Sequence, residues 1–324
     1  MNLTEQQLQA FAAQLPPLHF SRERDCNWAQ VELAQAYLDL YGINFARTLV
    51  GVSHGFGCIQ AAGFRIATHY WLPENARGTL LVMHGYYDHV GNFNHIIRFA
   101  LEHQLAVLAF DLPGHGLSSG DRAAIDSFNQ YGDVLAEVLK QSHPLMPQPL
   151  YALGQSTGAA VILNYYWRTQ DGSRRDDCFE KIVLCAPLIL PRGWRAGRFL
   201  FAVVRHFLTQ LRRGKARSSH DKNFNEFIMQ RDCLQTKYLS LQWVGAMKAW
   251  DKQFRAYSQL RKEVLIIQGT GDITVDWHYN LPTIQRKLPN AKVTMIQDAG
   301  HQLVNESEQY RNQVFAAIAS YLAI

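Results

Sequence analysis

The chain has 324 residues, 48% of them apolar, and its 32 Lys and Arg against 27 Asp and Glu leave a net charge of +5. This length supports one well-buried core with a sizeable insertion, and so small a basic excess argues against nucleic acid as a partner. Five scattered cysteines, Cys26, Cys58, Cys178, Cys185 and Cys233, lack C-x-x-C or metal-ligand spacing and read as free thiols of a reducing compartment. The N-terminus lacks the basic start, apolar run and cleavage site of a secretory signal, so the cytoplasm is the expected location.

In chain order, Thr4 is placed to cap a short helix that stops at Pro16-Pro17, and Asn27 to cap another running to Leu40. Residues 1–60 are therefore expected to form a helical extension. From about residue 62, short apolar runs alternate with helical patterns, the signature of βαβ units around a mostly parallel sheet. The expected strands are Phe64 to Trp71, Thr79 to Met83, Ala106 to Asp111, Leu150 to Gly154, Lys181 to Ala186, Val264 to Gln268 and Lys292 to Ile296. Most are continuously apolar, as strands buried on both faces must be. Helices are expected near Phe93 to Glu102, Phe128 to Gln141, Thr157 to Arg168 and Glu308 to Leu322. Between Leu190 and about Tyr257 the alternation stops and no strand is evident. Residues 191–257 are read as a helical cap inserted before the acid-bearing strand, leaving 1–190 and 258–324 as an α/β core.

Gly154-Gln155-Ser156-Thr157-Gly158 lies between the strand PLYAL and the helical AAVILNYYW, a G-x-S-x-G at a strand-to-helix turn. The turn lifts the Ser156 hydroxyl above the sheet edge and sets it at a helix N-terminus, where free N–H groups favour developing negative charge. Glycines two residues to either side avoid Cβ collisions with strand and helix. A serine hydroxyl is a weak nucleophile until a base takes its proton. Two later strands run into Gly269-Thr270-Gly271-Asp272 and Gly300-His301, which makes Asp272 the orienting acid and His301 the base. Asp276 is the rival acid, with Asp298 and Glu306 as outside candidates.

After the Thr79 to Met83 strand, the loop His84-Gly85-Tyr86-Tyr87-Asp88-His89 is expected to supply the Tyr86 N–H as one oxyanion donor, with the Thr157 N–H as the other. Each such donor contributes roughly 3–4 kcal/mol. His84, His89 and His95 have no supporting acid or cysteine at ligand spacing, so no metal is expected. The turn from Asp111 to Gly120 reads G-x-G-x-x-x-G, with no helix directly after it, and is taken as structural, not as a dinucleotide site.

The stretches HGYYDH, FDLPGHGLSSGDRAAIDSF, GQSTG, QGTGD and AGH, within residues 80–302, resemble the α/β-hydrolase superfamily. Within it they resemble the monoacylglycerol lipase and bacterial lysophospholipase group, also catalogued as serine-aminopeptidase-like. The resemblance implies an α/β-hydrolase fold, Ser156, Asp272 and His301 as a triad, and Tyr86 and Thr157 as oxyanion donors. It also implies cofactor-free hydrolysis of an acyl ester such as a monoacylglycerol or lysophospholipid. Family members usually carry small residues after the HG, where this chain has two tyrosines. The HGGPG of the peptidase branch is absent, which argues against proline aminopeptidase activity, and a serine at the elbow argues against epoxide or halide chemistry. An amidase, peptidase or acyltransferase on the same triad is the competing enzyme class, and a non-catalytic binding protein on this fold is the other alternative.

In the insertion, Phe199 to Val204, Phe207, Leu208 and Leu211 can form an apolar helical face. The basic residues Arg192, Arg195, Arg198, Arg205, Arg212, Arg213, Lys215 and Arg217 precede any acidic one. They read either as the solvated side of a cap helix or as an interfacial helix that meets anionic lipid. Trp194, Trp243, Trp250, Trp277 and Phe227 are candidates for an acyl site, with Tyr87, Trp194 and Trp277 as the expected substrate contacts.

Overall fold

The computed structural model describes residues 3–20, 31–170, 178–214 and 217–324. Asn27, Cys26 and Lys215 fall outside them. Helix α1 (Glu5–Gln14) begins with a reciprocal capping box in which Gln7 N donates to Thr4 Oγ1 at 3.2 Å and Thr4 N donates to Gln7 Oε1 at 2.9 Å. Helix α2 (Glu32–Leu40) and the single turn α3 (Phe45–Thr48) follow.

The strands are β1 (Val52–Ala61), β2 (Phe64–Pro73), β3 (Thr79–Met83), β4 (Ala106–Phe110), β5 (Leu150–Gln155), β6 (Lys181–Cys185), β7 (Gln210–Arg212), β8 (Tyr238–Ser240), β9 (Val264–Gly269) and β10 (Lys292–Ile296). Eight of them form one sheet in the order β1-β2-β4-β3-β5-β6-β9-β10, antiparallel at β1/β2 and β2/β4 and parallel elsewhere. Alternate residues feed two cores. Leu81, Met83, Leu108 and Phe110 face the layer of α5 (Phe128–Ser142) and α6 (Thr157–Gln170). Leu80, Val82, Val107 and Ala109 face the layer of α4 (Asn94–Glu102) and α11 (Glu308–Leu322). Burial on both sides explains why these strands are unbroken apolar runs.

Two expectations need correction, and one helix was not expected at all. Residues 1–60 are not all helical extension, because β1 pairs along the whole of β2. Gly55 and Gly57 disguise this strand in the sequence, and packing requires them. A Cβ at Gly55 would come within 2.0 Å of the Tyr70 ring, and one at Gly57 within 2.8 Å of the Pro16 carbonyl. The insertion is not strand-free, since β7 and β8 form a short antiparallel ribbon. Helix α10 (Trp277–Lys287) was unforeseen because it contains Pro282, which lacks a helical donor.

Between β6 and β9 the insert also carries α7 (Trp194–Val204), α8 (Lys222–Gln230) and α9 (Leu241–Ala256). Trp250 and Phe254 of α9 are fully buried against the core. A second tie is polar. His89 Nε2 lies 3.2 Å from Asp232 Oδ1 with both side chains buried, and Tyr41 Oη and Asn92 Nδ2 donate to the same carboxylate at 2.9 and 3.1 Å. Burial alone would lower the His89 pKa and raise that of Asp232, but their mutual attraction and hydrogen bonding reverse both directions. His89 Nδ1 accepts from Gly91 N at 3.2 Å, so the imidazole donates to the carboxylate from Nε2, and losing it would strand the buried Asp232 charge. Cys58, Cys178, Cys185 and Cys233 are free thiols.

Candidate active site

Strand β5 ends at Gln155 and α6 begins at Thr157, so Ser156 makes the turn alone, with φ +56° in the left-handed region. The conformation is held from three sides. Ser156 N donates to Cys185 O at 2.8 Å, and Ser156 O accepts from Ala160 N and Leu188 N, each at 3.2 Å. A Cβ at Gly154 would lie 2.5 Å from Ala159 N, and one at Gly158 2.3 Å from Met83 O, so both flanking glycines are obligatory.

Asp272 sits in the turn after β9. Its Oδ1 accepts from the N–H groups of Thr274 and Val275 at 2.7 and 3.1 Å, and its Oδ2 accepts from Gln268 Nε2 at 3.1 Å. His301 Nδ1 lies 2.7 Å from Asp272 Oδ2. A carboxylate can only accept, so the imidazole proton is on Nδ1 and Nε2 is left as a proton acceptor. Burial would raise the Asp272 pKa, but the adjacent imidazole and these hydrogen bonds hold it below the usual carboxylate range. Burial would likewise lower His301, and the Asp272 charge and hydrogen bond, helped by Asp88, raise it instead. Ser156 and His301 line one cavity of about 500 Å³.

The other acidic candidates are engaged elsewhere. Asp276 is the N-cap of α10, where its Oδ1 accepts from Tyr279 N at 3.3 Å. Asp298 is exposed, with φ +60°, and accepts from Gln297 Nε2 at 2.9 Å. Glu306 is fully buried behind the His301 loop and accepts from Gly300 N at 2.6 Å.

The loop after β3 passes close over the elbow, where a Cβ at Gly85 would meet Ser156 Cβ at 3.4 Å and Asp88 Oδ2 at 2.9 Å. Among the described residues, no backbone carbonyl accepts from the N–H of Tyr86 or of Thr157. His84 secures this loop from below. Its Nε2 accepts from Leu112 N at 2.8 Å, so its Nδ1 donates to Gly85 O at 2.8 Å and the ring is neutral. Asp111 does the same for the glycine-rich turn, accepting from Val90 N and Leu117 N, each at 2.8 Å. No three His, Cys, Asp or Glu side chains group to hold a metal among the described residues.

Three contacts escaped the sequence reading. Tyr86 Oη donates to Ala123 O at 2.8 Å and accepts from Ser240 N at 3.3 Å, while its ring stacks on Trp243 at 3.8 Å, joining the loop to the start of α9. Tyr87, at φ +75°, carries the Arg213 guanidinium 4.0 Å above its ring. Asp88, buried on the cavity wall, accepts from Gln302 Nε2 at 2.8 Å. Each joins residues remote in sequence, and no local pattern encodes that.

Tyr87, Trp194 and Trp243 line the cavity together with Leu200, Phe201 and Met247. Trp277, expected there, does not. It is the first residue of α10, and its ring stacks on His278 at 3.6 Å. Trp250 is a core residue that donates to Leu188 O at 3.1 Å, and Phe227 packs edge-on to Tyr41 at 5.6 Å.

A family model described as serine aminopeptidase, S33 matches residues 74–308. Mouse monoglyceride lipase is 25% identical over 278 residues, covering 82% of this chain and 89% of the relative. The human monoglyceride lipase is 29% identical over 143 residues, covering 44% of this chain and 45% of the relative. Monoacylglycerol lipase of Mycolicibacterium smegmatis is 28% identical over 140 residues, covering 42% and 46%. The chain thus spans about half the length of these last two relatives. Among solved structures, a soluble variant of Saccharomyces cerevisiae monoglyceride lipase in complex with a substrate analog superposes with a TM-score of 0.67 at 17% identity, covering 80% of this chain and 92% of that one. The fold is shared with these enzymes, and the family match extends from the loop before β3 into the start of α11. The chain is an α/β-hydrolase and belongs to the serine aminopeptidase S33 family.

Proposed function

We propose that the protein is a serine esterase acting on carboxylic esters with medium or long acyl chains, monoacylglycerols and lysophospholipids being the favoured class. The observation that carries this reading is a histidine fixed 2.7 Å from a buried aspartate, on the wall of the same largely apolar cavity as a strained serine. Ser156 Oγ attacks the ester carbonyl as His301 Nε2 takes its proton, and the N–H groups of Tyr86 and Thr157 hold the oxyanion. His301 returns the proton to the departing alcohol, and water then attacks the acyl-enzyme with His301 again as base. The insert, residues 191–257, serves as a cap over the acyl site. The names of the mouse, human and mycobacterial relatives support the substrate class.

Fluorophosphonate labelling of the intact chain, followed by turnover of monoacylglycerols, p-nitrophenyl esters and aminoacyl amides, tests the reading. Labelling with turnover of the esters is expected. Faster cleavage of the amides would make the protein an amidase or peptidase.

The cap also has the character of a lipid-facing element. Phe199 and Phe207 are 67% and 80% exposed, with Leu200 and Val203 beside them. The Arg198 guanidinium lies 4.9 Å above the Phe199 ring and that of Arg205 5.5 Å above Phe201. An apolar face bordered by cations suits the surface of an anionic bilayer, and Leu200 and Phe201 also line the cavity. No described helix is long and apolar enough to cross a membrane. Vesicles containing anionic lipid are expected to co-sediment the protein, and the double variant Phe199→Asp, Arg205→Glu to stay in the supernatant. Equal sedimentation of both proteins would remove the membrane reading.

A further inference from the structure

His301 is held through its chain neighbours as well as by Asp272. The residue before it, Gly300, donates its N–H to Glu306 Oε1 at 2.6 Å. The residue after it, Gln302, donates its N–H to Ser218 O at 2.9 Å, and the carbonyl of His301 itself accepts from Gln155 Nε2 at 2.7 Å. Two of these three anchors lead towards one place, the stretch of the insert at Ser218 to His220.

Glu306 is the hub of that place. It is fully buried, and four donors converge on its two oxygens. Oε1 accepts from Gly300 N and, at 2.9 Å, from His220 Nδ1. Oε2 accepts from His220 N and Ser307 N, each at 2.8 Å, while the neighbouring Ser219 hydroxyl donates to Asn305 O at 2.8 Å. Arg311 reaches the backbone carbonyl of Glu306, at 2.7 Å, so the carboxyl is satisfied by backbone amides, with His220 the one ionisable partner among the described residues. Burying a carboxyl is costly unless donors surround it, and here they come from two segments about eighty residues apart in the chain. Gly300 is required by this contact, since a Cβ there would lie 2.9 Å from both Glu306 Oε1 and Ser218 O.

We propose that Glu306 is a positioning residue, whose carboxyl fixes the backbone ahead of His301 and fastens it to Ser219-His220 of the insert, so that the general base keeps its place only while that stretch is seated. The inference rests on the reading of His301 as the base of a serine esterase. Its chemistry explains why a glutamine is a poor substitute. Whichever way the amide turns, its NH2 faces Gly300 N–H on one side or the His220 and Ser307 N–H groups on the other.

The test measures Glu306→Gln and Gly300→Ala in the full-length chain, the second variant breaking the same contact from the histidine side if the first does not fold. Displacements of ~1 Å at a reacting group cost on the order of 100-fold. Each variant is therefore expected to lose roughly 10- to 100-fold in kcat on a p-nitrophenyl ester, with KM changed by less than about twofold. Fluorophosphonate labelling should slow in parallel, and the downfield N–H proton resonance of the His301 imidazole should shift or broaden. Unchanged kcat in either folded variant, or a loss of activity fully explained by a smaller folded fraction with the imidazole resonance unmoved, overturns the proposal. Wild-type protein that takes no label on Ser156 would instead mark failure of the esterase reading, which keeps the two apart.

Discussion

Replacing Ser156 by Ala is expected to lower kcat for ester hydrolysis by about a millionfold, to abolish fluorophosphonate labelling, and to leave the fold intact. The backbone at this position is held by Cys185 O, Ala160 N and Leu188 N, none of which involves the side chain. Alanine meets the same left-handed strain as serine, so the turn loses nothing that folding relies on. The nearby thiol offers no substitute nucleophile. Cys185 is fully buried and its pKa is pushed up to about 12 by desolvation, which leaves almost no thiolate at neutral pH. The check is the initial rate on a p-nitrophenyl ester beside a circular-dichroism melt. Turnover within tenfold of the parent would remove Ser156 from the chemistry.

The candidate triad was legible in the sequence because chemistry and secondary structure are close together in the chain there. Ser156 directly follows β5, and Asp272 and His301 lie three and five residues past the ends of β9 and β10, so a strand pattern and a reactive residue could be read together. The same logic failed where packing overrides local preference. Gly55 and Gly57 weaken a strand in the text yet let Tyr70 and the Pro16 to Leu18 segment lie against it. Pro282 argues against a helix, but capping by Asp276 and burial of Leu281 and Ile284 carry α10 through it. Trp277 was chosen for its aromatic ring, and nothing in its neighbours revealed which side of the helix the ring takes. Glu306 illustrates the limit from the other direction. Five residues past His301 it is a reasonable candidate acid, and only the fold shows that its partners are Gly300 and a distant stretch of the insert.

Asp272→Asn is expected to lower kcat by about 10⁴, and the surroundings of Asp272 say why an isosteric change is so damaging. Thr274 N–H, 2.7 Å from Oδ1, and Val275 N–H demand an acceptor on that side, so the new amide must keep its oxygen there and turn its NH2 towards His301. The imidazole then answers with Nδ1 as acceptor, its proton moves to Nε2, and the nitrogen that should receive the serine proton already carries one. The pH dependence follows with a definite sign. The Asp272 charge and hydrogen bond raise the His301 pKa above 6.5 against the effect of burial. In the proposed mechanism the neutral ring is the active form, so wild-type activity is expected to rise with pH through that raised value. In Asp272→Asn the raising charge is gone, and the acid limb of kcat/KM should move to lower pH while the plateau falls. Asp276→Asn should keep both plateau and limb, because asparagine serves as well as aspartate at the N-cap of α10. Retained activity in Asp272→Asn together with its loss in Asp276→Asn would exchange the two assignments.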